Sequence, residues 1–167
     1  MNSFLRYAGA FVLLIVLQLL IFNNIEFSGY VNPFVYVMFI LILPVSLPSW
    51  ILLLLSFFTG FVVDLFSGTM GVHVFATVMA GFVRPWVLSV NVTSDTIETE
   101  MSPSSHRSGL RWFLVYTVTL VLVHHLALFF IEIFSLKNFL HTLLRVVLST
   151  AVTTFFIVLF DFFRPHR

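Results

Sequence analysis

Only a few side chains in this sequence are equipped for chemistry. Asp64 and His73 stand close together, His124 and His125 are adjacent, and Glu132, His141, Arg145 and Asp161 follow. An acid among several histidines is the raw material of a divalent-metal site or of general acid–base catalysis. The spacing argues against both. Adjacent residues on a helix point about 100° apart, so His124 and His125 do not converge on one ion. His125 and Glu132 share a helix face, with Leu128 and Phe129 between them. Hydrogen bonds between helices, and one ion pair between Glu132 and Arg145, are the expectation instead. No glycine-rich phosphate loop and no nucleophile elbow is present. There is no cysteine, which excludes disulfides, iron–sulfur clusters, Cys-ligated zinc and thiol catalysis. No metal or cofactor is expected, and no enzymatic activity.

The solvent of these groups is set by composition. The 167 residues are 60% hydrophobic and 9% charged, against about 25% charged in a soluble domain. From Phe27 to Val63 no side chain carries a charge, and only Pro44 and Pro48 interrupt that run near its middle. A spanning helix needs about 20 apolar residues, so the run reads as two spans folded back on each other. A net charge of +1 is too small for a nucleic-acid surface. The 22 Phe suit lipid-facing and packing roles.

The predicted fold is all-α: a polytopic membrane protein of six transmembrane helices, forming one domain over residues 1–167. Span one covers about Tyr7 to Phe22 and lacks a small-x-small cleavage site, so it reads as an uncleaved span rather than a signal peptide. Asn32-Pro33 opens span two as cap and first helical residue. Pro44 to Pro48 ends or kinks it, which leaves it short and consistent with a re-entrant or strongly tilted segment. Spans three to six follow at about Ser49–Phe66, Val72–Leu88, Leu110–Phe134 and Phe139–Phe163. Residues 89–109 are polar, lack apolar residues to build a core, and read as a flexible cytoplasmic loop. Arg6, Arg84, Arg107, Arg111, Arg164 and Arg167 fall on one side of this topology and Lys137 on the other. That bias places both termini in the cytoplasm. Tyr7, Trp50, Trp86 and Trp112 gather at the same ends, as an interfacial aromatic belt does.

A charge in the bilayer core costs roughly 2.5–3.5 kcal/mol on insertion scales, so each one calls for a partner or a purpose. Asp64 lies near the end of span three. Gly68 and Gly71 form the turn that follows, and His73 begins span four. Gly60 shares a face with Asp64 and lets another helix approach closely. The glycines permit a tight turn, which presents the free N–H groups of span four to the Asp64 carboxylate. Asp64 is therefore expected to staple spans three and four, the competing role being that of an ion or substrate ligand. Asp161, near the end of span six, is expected to meet Arg111 or Arg84.

Gly60-x-x-x-Asp64-Leu65-Phe66-Ser67-Gly68 followed by Gly71-x-His73 resembles the rod shape-determining protein MreD family. The likeness continues through Arg84-Pro85, Arg111-Trp112-Phe113, His124-His125, Phe129 to Glu132, and Thr142 to Arg145 with Ser149-Thr150. It covers nearly the whole chain and is weakest over residues 89–109. The resemblance implies a bacterial inner-membrane subunit of the cell-elongation machinery. Its implied partners are membrane lipid, MreC, the RodA glycosyltransferase, a class B penicillin-binding transpeptidase and the MreB filament. The family is also similar in fold to substrate-binding subunits of vitamin transporters. A small-solute binding or transport role, with Asp64, His73, His125, Glu132 and Arg145 lining a pocket, is therefore the alternative. A cavity lined by several of these groups favours the alternative, whereas direct pairing of each acid favours a scaffold.

Overall fold

Apolar runs without a helix breaker become helices of spanning length. In the computed structural model, which describes residues 3–24, 31–91, 102–133 and 139–164, the helices are α1 Ser3–Leu20, α2 Met38–Ile42, α3 Ser49–Ser67, α4 Val72–Asn91, α5 Ser105–Ser108, α6 Leu110–Ile133 and α7 Phe139–Phe163. Single 3-10 turns lie at Phe22–Asn24 and Val35–Val37. Five helices, α1, α3, α4, α6 and α7, are long and apolar enough to cross a membrane. The outer surface of the bundle is apolar, with Leu54, Phe57, Phe58, Phe61, Val147 and Phe155 exposed. This is a helical, multi-pass membrane protein. Residues 92–101, Lys137 and Arg167 lie outside the described residues, so the tip of the polar loop and part of the charge bias do too.

The expected second span is not a helix of spanning length. Its helical part is the 3-10 turn at Val35–Val37 and the five residues of α2, and Leu43 leaves the helix in an extended conformation. The prolines at 44 and 48 explain the stop: each lacks an N–H and biases the preceding residue away from helix. What replaces a helix is a buried strap. Every residue from Pro33 to Leu43 is buried. Its contacts step through the bundle, from Phe34 against His125 and Phe129, to Tyr36 against His124, to Leu41 against Tyr116. α1 and α3 run in the same direction, because Phe11 stacks on Phe58 and Asn23 bonds Ser67 further along both.

Non-helical backbone survives at membrane depth only where protein satisfies its polar groups, and here side chains from four helices do so. Gln18 of α1 donates to Pro33 O at 3.1 Å and accepts from Tyr36 N at 3.4 Å. Ser149 and Thr153 of α7, one turn apart, accept from Asn32 N at 3.0 Å and Phe34 N at 3.1 Å. At the far end, Tyr116 of α6 donates to Leu41 O at 3.0 Å. Arg84 of α4 donates to Leu43 O and, at 3.4 Å, to Pro44 O.

α3 and α4 form an antiparallel pair, and glycine sets their separation. A Cβ on Gly60 would lie 2.5 Å from Val74 Cα and 2.6 Å from His73 O, both backbone atoms. Gly81 on α4 makes the reciprocal approach to Ser56, where a Cβ would come within 3.1 Å of the Ser56 Cβ. Small residues on both partners are the usual device for close packing in lipid, where no hydrophobic force draws helices together.

The segment 102–109 is not a free loop. Ser104 caps α5 by accepting from Arg107 N at 3.4 Å, Gly109 ends it with φ 83°, and α5 packs on α6 and α7.

Candidate functional site

The Asp64 carboxylate sits at the start of α4, where the first backbone N–H groups of a helix have no partner within it. Oδ1 accepts from His73 N at 3.1 Å and Oδ2 from Val74 N at 2.9 Å. Thr69 Oγ1 donates to Oδ1, and His73 Nδ1 lies 3.0 Å from it. The turn between them is local chemistry. Gly68 takes the left-handed conformation at φ 67°, and its N–H returns to Asp64 O; Gly71 has φ 82°. Thr69 N also donates to Asp64 O at 3.1 Å. One acid therefore closes the end of α3 and caps α4, with Thr69 and Val74 joining the Gly68–His73 set that the spacing predicts.

His73 faces the centre of the bundle, against the rings of Phe34 and Tyr36. Tyr36 Oη is 2.8 Å from His124 Nε2. His125 Nδ1 is 2.8 Å from Val121 O, and its Nε2 is 3.3 Å from Thr153 Oγ1. The two adjacent histidines thus have separate partners. Among the described residues no group of three or more His, Cys, Asp or Glu is placed to hold a metal ion. His125 and Glu132, which share a face by spacing, are engaged separately as well.

Glu132 pairs with Arg145 at 3.5 Å. The guanidinium also lies 4.3 Å above the Phe129 ring. With the Asn32 amide turned so that both its groups are satisfied, its oxygen accepts from Arg145 Nη2 at 2.8 Å. Arg145 therefore has three partners and Glu132 one, and the Glu132 side chain is 45% exposed. Glu132→Gln is expected to cost no more than ~1 kcal/mol, as exposed pairs do. Arg145→Ala also loses the cation–π contact and the Asn32 bond, and is expected to cost about 2–3 kcal/mol. The exchange Glu132→Arg with Arg145→Glu should recover only part of that loss. Thermal unfolding in detergent ranks the three, and equal losses from the two single changes would reject the pair as drawn.

Asp161 does not meet Arg111 or Arg84. Its Oδ2 accepts from Ser105 N at 2.7 Å and Ser105 Oγ at 2.6 Å, and its Oδ1 lies 3.3 Å from Arg164 Nη2. The correction follows from the fold: α5 lays a serine and a free N–H over Asp161, while Arg84 is used elsewhere. Arg84 is 1% exposed. It donates through Nε to Tyr116 Oη at 2.8 Å and through both terminal nitrogens to the strap carbonyls. Among the described residues it meets no carboxylate.

A cavity of about 350 Å³ opens near the end of α3, lined by Phe22, Asn23, Asn32, Pro33, Phe34, Ser67 and His73. Of the five residues expected to line a solute pocket, His73 alone is among them. Sequence reasoning passed over Gln18, Tyr36, Tyr116 and Thr153, and named Ser149 only within a family motif; these residues hold the strap or its histidine contact. A glutamine inside the apolar stretch Ala8–Ile21 was a usable signal for one of them.

No protein-family model, no curated protein and no solved structure matches this chain.

Proposed function

We propose that this chain is a non-enzymatic scaffold subunit of the bacterial cell-elongation machinery, in the inner membrane, of the MreD kind. It would coordinate lateral peptidoglycan synthesis and so maintain rod shape, with MreC as its partner and RodA, a class B penicillin-binding transpeptidase and MreB as further candidates. The observation that supports this reading is the local engagement of the acids: Asp64 by a helix end, Glu132 by Arg145, and Asp161 by Ser105 and Arg164. Groups engaged in this way hold helices together and, among the described residues, leave no acid poised over a reacting atom. The resemblance of the Gly60–His73 segment and of the later motifs supplies the biological setting.

The reading includes six crossings with both termini in the cytoplasm, the second crossing being made by the buried strap. Reporter fusions at Ser102 and Lys137 are expected on opposite sides, Ser102 facing the cytoplasm, and the same side for both would remove this topology. Loss of the chain in a rod-shaped host should give round cells. Turnover of a lipid-linked cell-wall precursor by the purified chain alone would refute the scaffold role.

Small-solute binding is the second reading, and the cavity lined by Asn23, Asn32, Ser67 and His73 is the observation on its side. Its neutral polar lining suits a small uncharged solute.

A further inference from the structure

His73 turns one ring nitrogen to the α3–α4 turn and keeps the other for a cavity. The residue is 7% exposed, and its ring meets Phe34 edge to face at 5.5 Å. Nδ1 lies 3.0 Å from Asp64 Oδ1 and 3.0 Å from Thr69 Oγ1. A carboxylate only accepts, and the Thr69 hydroxyl already gives its proton to Oδ1. Nδ1 therefore carries the hydrogen and shares it between the two oxygens. In the neutral ring the second nitrogen, Nε2, is then a bare acceptor. Among the described residues nothing donates to it.

His73 lines the cavity of about 350 Å³ near the end of α3, and Nε2 is the polar atom of its ring left to meet a ligand there. The rest of the polar lining offers donors. Ser67 Oγ accepts from Asn23 Nδ2 at 3.2 Å and keeps its own O–H to give. Asn23 keeps a second N–H, while its oxygen takes Gln18 Nε2 at 2.9 Å. Phe22, Pro33 and Phe34 supply apolar walls. No charged side chain is among the described lining residues, so a cation finds no carboxylate there and an anion no base. We propose that the cavity selects small uncharged molecules with an apolar body and one O–H or N–H, which they donate to His73 Nε2. Asp64 and Thr69 are then positioning residues, because they hold the ring in the tautomer that leaves Nε2 bare. The proposal rests on the small-solute reading of this cavity and leaves the staple role of Asp64 intact, since the same carboxylate serves both.

Nitrogen NMR of the full chain in detergent at neutral pH, isotope-labelled at histidine, tests it. In the free chain His73 Nε2 should give the resonance of an unprotonated imidazole nitrogen and Nδ1 that of an N–H. Phenol and anisole are the probes, alike in ring and oxygen and different in the O–H. At matched free concentrations phenol should shift the Nε2 resonance saturably and bind about fivefold more tightly than anisole, as one net hydrogen bond allows. Both readouts use the unmodified chain. His73→Phe keeps a ring in place and should erase the preference for phenol, read by saturation transfer to the two probes. A protonated Nε2 in the free chain, equal affinity for the probes, an undiminished preference in His73→Phe, or phenol binding that leaves the Nε2 resonance unmoved would each overturn the proposal and leave the small-solute reading standing. Failure of both probes to bind would overturn the two together.

Discussion

Replacing Asp64 with Leu should abolish most of the folded protein, and replacing it with Asn should cost markedly less. The carboxylate accepts from His73 N, Val74 N and Thr69 Oγ1. Leucine removes every acceptor and leaves the first α4 N–H groups without their side-chain partner. Losing two bonds to a charged acceptor, with the donors left unsatisfied, costs on the order of 4 kcal/mol. Asparagine keeps one oxygen and turns an NH₂ toward the second backbone donor, so it should lose about half of that. The measurement is the yield of monodisperse protein and its unfolding temperature in detergent. If Asn and Leu were equally damaging, the charge itself would be what matters, and an ion-binding role for Asp64 would return.

The Asp64 turn was legible because it is local. Gly68, Gly71 and His73 lie within ten residues of the acid, and glycine at positive φ together with a helix start leaves few ways to arrange them. The Glu132–Arg145 pair was legible for a similar reason, since a short connection makes α6 and α7 antiparallel neighbours. The five long helices follow from their apolar runs, and the spans at Ser49, Val72, Leu110 and Phe139 begin at those residues. The strap was not legible as such. Hydropathy reads the apolar run but not its conformation, and the prolines signalled only where a helix stops. Its backbone is held by Gln18 from before it in the chain, and by Arg84, Tyr116, Ser149 and Thr153 from far beyond it. Those pairings exist only once the bundle has formed. The same gap explains Asp161. An acid near a helix end invites the nearest arginine, but the sequence does not say that Arg84 is turned inward or that Ser105 folds over α7.

Arg84→Met should be nearly as damaging as Asp64→Leu, although it removes a buried charge that meets no carboxylate among the described residues. Taking a guanidinium out of water is expensive, and an apolar replacement of similar length avoids that cost. What it does not avoid is the strap. α2 ends at Ile42 because Pro44 follows, so the buried Leu43 carbonyl has no helix N–H to receive, and the half-buried Pro44 carbonyl has only the turn N–H of Leu47 at 3.4 Å. Arg84 supplies their donors and also bonds Tyr116 Oη, which in turn donates to Leu41 O. Methionine orphans the Leu43 carbonyl, leaves Pro44 O with Leu47 N alone, and loosens the tyrosine, at about 1–3 kcal/mol for each unsatisfied group. Lysine should rescue little, because one ammonium cannot span two carbonyls and a phenol as the planar fork does. Tyr116→Phe removes both the donor to Leu41 O and the acceptor of Arg84 Nε and should cost about 1–3 kcal/mol. Combined with Arg84→Met it should add less than its own cost, since the two residues bond each other and serve the same end of the strap. Unfolding temperatures of the four variants in one detergent decide this. Full additivity would show that Arg84 and Tyr116 act separately, and an Arg84→Met variant as stable as the parent would mean that the strap holds without its arginine.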